Sequence, residues 1–508
     1  MSKNSRESAE YYGKGGRLKT SAAKELIKSA YTFECEEEMI FFHEIGLADI
    51  AHVLMLIEEG IIPFSEGKTL LEALLEFQET NINDIPLRVE LGDIYNVRAG
   101  LLEEKIGHIA GWMHAGRPRR EAINIGYLLY LRKLVLKFIR IFIRLIDEFL
   151  NQAQNHLDTI MPDFTYLQHA QPTSLGHYLL TFVYPALRDL DRFRATYKRI
   201  NSCPAGSGSV NGSRLPLNRL RLKELLGFDE ITQHTRDAMW QPDIPIETVS
   251  NLLALLINVN RLSEELQIWS TTEFDFIDLP DRFCRASVIM PQKKNPYPLT
   301  YIRGLTGDMI GVVSSIAGVA KTSSGNPDSR IFVYGKLPRI LEQASKGIDL
   351  MASLVAEIKF NTDNMSRQAI EGFSQATDLA DLIMQERKVD YRSAHQIVGI
   401  LVREAIQKNE KRFILTPEIV DGAANQVLQK KLDLTQPQLD SILDPIAIIE
   451  TRQGLGGAAK VRVQEMVMEC RKTLKGISVW RDGCEERSLK QLDNLILVAK
   501  GKIEVGES

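Results

Sequence analysis

The stretch Glu121–Met161, EAINIGYLLYLRKLVLKFIRIFIRLIDEFLNQAQNHLDTIM, decides the fold. It has no Pro and a single Gly, Gly126. Its charges at Lys133, Lys137, Arg140, Arg144 and Glu148 recur at steps of three and four, which makes one narrow polar stripe. The rest of the circumference is Ile, Leu, Phe, Val and Tyr, and a helix apolar on most sides is buried by several neighbours. About 35 residues at 1.5 Å rise span roughly 50 Å, longer than an ordinary globular helix.

Four further segments read the same way: Leu175–Ile200 with a kink expected at Pro185, Ile246–Phe274, Pro298–Lys321 and Leu337–Ile358. Five such helices predict an extended bundle. A single chain has trouble covering that much apolar surface, so the expectation is an oligomer. Shorter amphipathic helices flank the bundle, Glu36–Glu59 and Leu70–Glu79 before it. Beyond about residue 369, short helices are broken by Pro417, Pro437, Pro445 and the cluster Gly454, Gly456, Gly457. The expected domains are 1–116, 117–368 and 369–508, with an extra tail from about 476 whose stretch Leu489–Ala499 is a candidate cap on a neighbouring subunit. No β-alternation stands out, so the class is all-α.

The chain has 508 residues, with 62 Lys+Arg against 66 Asp+Glu for a net charge of −4. At about 150 residues per domain, that length suits three domains or one large helical body. The balanced charge gives no whole-protein attraction to nucleic acid or anionic membrane. Five Cys with no C-x-x-C pair argue for a reducing compartment, the cytoplasm, and against a structural zinc site. The opening MSKNSRESAEYYGKGGRLKT is too polar for a signal peptide. The longest uncharged run, His169–Leu187, contains Pro172, Gly176, His177 and Pro185, which makes it a poor membrane span.

The loops between the helices are chemically rich. Residues 203–216, CPAGSGSVNGSRLP, hold Gly206, Gly208 and Gly212, which let backbone N–H groups approach a ligand or simply make a flexible turn. Residues 281–298, DRFCRASVIMPQKKNPYP, combine polar groups with restraining prolines; the bland reading is a solvated basic loop. HAGRPRR, His114–Arg120, places three Arg at the start of the longest helix, a natural anion site or a solvated helix entry. The nine His show no metal-ligand spacing.

MPQKKNP at Met290–Pro296 resembles the signature of the aspartase/fumarase superfamily, in the form closest to argininosuccinate lyase. The segment Met161–His177 is similar to that family's M-P-G-Y-T-H-L-Q-R-A-Q-P, Gly206–Gly212 to its G-S-G-A-L-A-G, and His114–Glu121 to its H-T-G-R-S-R-N-D. Ala376–Ile383 and Gly454–Val463 resemble its third domain. The likeness runs in order over residues 30 to 475. It implies three helical domains, a homotetramer with a 20-helix core, and sites shared between three subunits. The activity it implies is cofactor-free and metal-free β-elimination of an amine or hydroxyl from a succinyl-type substrate, usually releasing fumarate.

Position by position, the resemblance makes Ser287 the base and Lys293 the loop cation. Asn295, Thr165, Gln171, Arg117 and Arg119 become substrate-binding, with Asp93 in the first domain's D-I-H triplet. The departures are specific. Val288 and Ala286 replace Ser and Gly of G-S-S; Ala115, Pro118 and Arg120 replace Thr, Ser and Asn; Tyr166 and Tyr95 replace two site histidines. DAMWQPD, Asp237–Asp243, stands for D-A-T-S-E-R-D. Residues 325–333, GNPDSRIFV, lack the Tyr, Gln and Lys that hold arginine. The amine half of the substrate is therefore expected not to be arginine, since unpaired buried groups cost about 1–3 kcal/mol each. Arg120 is expected to grip a carboxylate, Tyr95 to line its pocket, and Tyr166 to protonate the departing group or merely pack. Three functions stay open: a lyase of another N-substituted aspartate, a superfamily lyase of a different unsaturated acid, and a non-catalytic structural paralogue like the lens crystallins.

Overall fold

The computed structural model describes residues 20–505. The opening stretch read as no signal peptide lies, apart from Thr20, outside the described residues, as do the side chains of Pro327 and Asp328. Helices Thr32–Glu38 (α1), Phe42–Glu58 (α2), Phe64–Glu79 (α3) and Ile94–Ile106 (α4) lead into Arg119–Asn155 (α5). A hairpin of Ile160–Thr165 (β1) and Gln168–Ser174 (β2) turns the chain back into Leu175–Ile200 (α6). Asp243–Trp269 (α7), Tyr297–Ala320 (α8) and Lys336–Glu357 (α9) complete five long helices.

The sequence periodicity accounts for their packing. On α5, Lys133, Lys137, Arg140 and Arg144 are exposed while the apolar positions between them are buried or half-buried. Gly126 is where α2 crosses α5: a Cβ there would stand 2.9 Å from the Ile45 backbone nitrogen, so the contact needs glycine. α5 packs on α2, α6 and α9, and α7 on α6 and α8. Pro185 sits within α6 without ending it.

Three expectations change. The all-α class holds, but the Glu121–Met161 segment stops being helical at Asn155, and His156–Thr159 hands over to β1 of a small hairpin that was not expected there. Its strands carry Pro162 and Pro172 and no clean alternation, which hid them. The expected Glu36–Glu59 helix is broken by a tight turn at Met39–Phe41. The tail is no separate appendage. Lys460–Val505 (α10) is one helix of 46 residues that packs on this chain's own α2, α3, α5 and α6. Leu495 and Ala499 are fully buried there, and the Lys502 ammonium lies 5.9 Å from the Phe64 ring centroid.

A second, separate core gathers Leu379, Ile383, Ile397, Leu401, Val420 and Leu439 from the short helices between residues 376 and 443. Among the described residues, two helical stretches are long and apolar enough to cross a membrane: Lys24–Glu58 is mostly buried in the fold, and Tyr297–Ala320 is mostly not.

Candidate active site

The expected site residues gather at the two ends of α5. At its start, Arg119 is the first helical residue and Pro118 precedes it. At its far end the chain enters the hairpin, where the Phe164 ring meets Phe274 at 5.8 Å and Phe276 at 6.1 Å, between α7 and the loop that carries Ser287. The 37 residues of α5 separate these ends by about 55 Å at 1.5 Å per residue. One copy of the chain therefore does not bring the arginines to Ser287.

At the α5 start, the three arginines have different surroundings. The Arg117 side chain is fully buried, donating to Asp49 Oδ1 at 2.6 Å and the Ala48 carbonyl at 3.0 Å, and Asp49 also accepts from Arg98 Nε at 2.9 Å. Arg120 is also buried. It donates to Glu34 and lies 3.8 Å from Glu38, so its added charge is balanced inside the protein rather than offered to a carboxylate as the sequence suggested. Arg119 alone keeps 45% of its side chain in solvent, while one nitrogen binds Asp93 Oδ2 at 2.7 Å. Asp93 is buried and also caps α4 through the Asn96 N–H, so it orients Arg119 rather than facing a ligand.

Tyr95 is buried as well. Its hydroxyl is 2.9 Å from His114 Nδ1, and the Arg117 guanidinium lies 5.4 Å from its ring. Burial, then the Arg117 charge, lowers the His114 pKa to about 4, so the imidazole is neutral at physiological pH. Burial also raises the Glu34 and Glu38 carboxyls, Glu38 well above 4.5, with Arg120 pulling against the shift. Arg330, inside the 325–333 segment, is buried and donates to the Met239 and Arg120 carbonyls, which pins the DAMWQPD segment onto the first turn of α5. The sequence marked none of Glu34, Glu38 and Asp49 as site-building, and His114 and Arg330 only as members of the 114–121 and 325–333 segments. The one signal for the acids was TFECEEE, which sets Glu34, Glu37 and Glu38 on one helical face.

At the far end the expected residues are open. Thr165, Tyr166 and Gln171 are exposed on the hairpin, and Tyr166 is 100% exposed. Thr165 pairs with Gln168, leaving a two-residue turn with Tyr166 at φ 55 and Leu167 at φ 58. That geometry normally calls for Asn-Gly, and bulky residues there are strained.

The second loop is tied at its base. Arg285 pairs with Asn295 and Ala286 with Lys294 in a two-stranded ladder, and the Asn295 amide donates to the Arg285 carbonyl at 2.8 Å. Arg285 also stacks on Tyr297, 3.6 Å from the ring centroid. Lys294 binds Asp278 at 2.8 Å and Asp281 at 2.9 Å, hydrogen bonds that raise its pKa. Lys293 is exposed and makes no ion pair among the described residues. Ser287 Oγ accepts the Met290 N–H at 3.1 Å, the kind of donor that favours an anionic oxygen. One amide N–H of Asn295 is thus engaged within its own loop and the other is left for a ligand, while Ser287 and Lys293 are available.

Sequence comparison places these loops in a known class. A family described as Lyase matches residues 32–311, and one described as Argininosuccinate lyase C-terminal matches residues 373–450. The chain belongs to the aspartase/fumarase superfamily of lyases, close to argininosuccinate lyase. An argininosuccinate lyase of Methanosarcina acetivorans is 34% identical over 458 residues, 89% of this chain and 91% of the relative. Among solved structures, EDDS lyase in complex with formate aligns at TM-score 0.85 with 28% identity, covering 97% of this chain and 98% of that one. An EDDS lyase variant with bound fumarate aligns at 0.82 with the same identity and coverage.

Proposed function

We propose that the protein is a cytoplasmic carbon–nitrogen lyase. It would eliminate an amine from an N-substituted aspartate other than argininosuccinate to give fumarate, or add that amine to fumarate. The observation that carries this reading is the Ser287–Lys293 loop. A serine oxygen there accepts a backbone N–H, in the same loop as a lysine with no ion pair among the described residues, on a base held by Lys294 and Asn295. Two relatives support it, being an argininosuccinate lyase and a lyase variant with bound fumarate.

In this mechanism Ser287 removes the proton from the carbon next to a carboxylate, and negative charge accumulates on that carboxylate. Preorganised cations and donors stabilise it, and in reactions of this kind that stabilisation lowers the barrier more than any other effect. Lys293 and Arg119 supply positive charge, Thr165, Gln171 and Asn295 hold carboxylate oxygens, and Tyr166 protonates the departing nitrogen. Side chains alone carry the reaction, with no cofactor or metal. Arg117, Asp93, Tyr95 and Arg120 act from behind, by fixing the turn that presents Arg119.

The site is completed by assembly as a homotetramer in which three subunits meet. The separation of the two ends of α5 supports this, as does α8. Gly304, Gly307, Gly311 and Gly318 face open space there, and Ile310 is 56% exposed, a surface suited to helices of other copies. The cytoplasmic assignment rests on five cysteines that are all free thiols.

The test is to incubate the protein with fumarate and a panel of amines and amino acids, following fumarate absorbance and product mass. Turnover is expected with at least one amine, and Ser287→Ala should reduce it by about 10²- to 10⁴-fold. No consumption of fumarate with any amine, together with a different diacid bound in the purified protein, would overturn the reading in favour of another unsaturated acid.

A further inference from the structure

The glycine-rich loop that looks from sequence like a ligand cradle is already filled, by a carboxyl group of the protein itself. Glu121, in the first turn of α5, is 1% exposed. Its Oε1 accepts the Gly206 N–H at 2.6 Å, and its Oε2 accepts the Ser207 hydroxyl at 2.9 Å and the Gly208 N–H at 3.0 Å. Gly206 and Gly208 take φ of +71° and +58°, which lets the two N–H groups converge. A Cβ on Gly208 would stand 2.6 Å from the Gly212 carbonyl, so no other residue fits.

Ser209 follows at φ 81 although it carries a side chain, a conformation that persists where the surroundings over-determine it. Beyond it, Thr235 Oγ1 donates to the Val210 carbonyl at 3.1 Å. Ser213 Oγ comes within 3.1 Å of where a Cβ on Gly116 would sit. The loop is thus fastened to the Glu121 carboxyl and lies against the Gly116 turn that leads into Arg117 and Arg119.

We propose that Glu121 is a positioning residue. Through Gly206, Ser207 and Gly208 it holds the Ser209–Ser213 tip as a fixed wall against the Gly116 turn that leads to Arg119, and so sets the grip on the substrate carboxylate without touching it. This rests on the fumarate chemistry proposed above. Charge matters as well as shape. Three donors converge on the carboxylate, and an amide at position 121 would turn its own NH2 group toward at least one of them. Asp keeps the acceptors at a shorter reach.

The experiment compares wild type with Glu121→Gln, Glu121→Asp and the milder Ser207→Ala. Turnover with fumarate and amine, fumarate binding by calorimetry, and hydrogen exchange of the 206–213 segment are measured on each. Losing charge-assisted hydrogen bonds predicts that Glu121→Gln raises KM for fumarate by about 10- to 100-fold with a much smaller change in kcat. Exchange in 206–213 should quicken while the remainder of α5 keeps its protection. Glu121→Asp should recover most of the affinity, and Ser207→Ala should move KM the same way by a few fold.

Unchanged KM and unchanged loop exchange in Glu121→Gln overturn the proposal. So does a loss that merely tracks the fraction of folded protein and that Asp does not rescue. Should Glu121→Gln fail to fold, Ser207→Ala decides on the same readouts. Should wild type consume no fumarate, the reaction reading fails, and loop exchange with fumarate binding still decides the clamp.

Discussion

Replacing Arg120 by Met separates two roles that the sequence alone confounds. Met keeps the apolar stem and removes the guanidinium. Arg120 contacts Glu34 with side chains 9% and 10% exposed, and Glu38, 3.8 Å away, is fully buried. Removing one partner of a buried pair costs about 3–5 kcal/mol, and the slight exposure of Glu34 argues for the lower end, about 3 kcal/mol. By the usual unfolding entropy per residue, that lowers the melting temperature by about 3 °C. The deficit depends on pH. Burial already raises Glu34 and Glu38, and losing Arg120 removes the charge that holds them down. A carboxyl whose folded pKa lies above its unfolded value favours the fold while protonated, below about 4.5, and that stability is lost as pH rises through the folded pKa. The gap between variant and wild type should be small near pH 5 and widen toward pH 8. Adding Glu34→Gln should restore part of the loss. Scanning calorimetry at both pH values, beside fumarate kinetics, is the assay. A large rise in KM with an unchanged melting temperature would refute the reasoning and return Arg120 to the substrate.

Four further outcomes are expected. Tyr166→Phe should lower kcat for amine elimination by about 10²-fold or more if the phenol delivers a proton, with the fold intact; full activity in both Phe and His variants would rule that role out. Leu495→Ala should cost about 2–5 kcal/mol in denaturant unfolding, because this fully buried side chain ties α10 to the body; no change would show that the tail docks loosely. Gly126→Ala should destabilise by about 1–3 kcal/mol, since its Cβ meets the Ile45 backbone, and a stabilised variant would contradict the α2–α5 packing. His52 and His114 are held neutral by burial and the Arg117 charge, His114 down to about pH 4. Groups with depressed folded pKa values lend stability above about pH 6.5 that is lost as pH falls, at most about 1.4 kcal/mol per pH unit for each, so His52→Gln should flatten the acid limb of a melting profile.

The long helices were legible because their apolar positions recur locally. Leu175–Ile200 is read and observed with the same ends, its start fixed by Ser174 Oγ accepting the His177 N–H. The buried charges were not legible. Arg132 lies in the middle of the α5 sequence and is 1% exposed, bonded to Asn201 and to the Leu226 and Gly227 carbonyls. Nothing within a turn of it distinguishes it from exposed Lys133. A charge is buried only when its partners arrive from elsewhere, and Glu37 meets Arg339 across 302 positions. The motif residues were found by resemblance, but resemblance does not say which arginine reaches solvent. That depended on Asp49, Glu34 and Glu38, all outside the motifs.

The placement of matches and departures along α5 bears on how this chain diverged. Thr165, Ser287, Lys293 and Asn295 match the family and stand at one end. Tyr95, Ala115, Pro118, Arg120, Trp240 and the 325–333 segment depart from it and gather at the other, joined through Arg330 and the Glu34–Arg120 pair. These departures are one connected rebuilding. Arg120 introduces a charge that Glu34 and Glu38 neutralise, and Arg330 spans Arg120 and the segment holding Trp240. Such a unit changes together, because a lone Arg120 would be an uncompensated buried charge. The end bearing the candidate base lies about 55 Å away within the same chain, beyond the reach of that repacking. The rebuilding around Arg120 is therefore structurally separate from the changes beside Ser287. Ala286, Val288 and Tyr166 depart at the other end, and of these only Tyr166 carries a group that can deliver a proton, which makes it the most informative of them for learning what leaves the substrate.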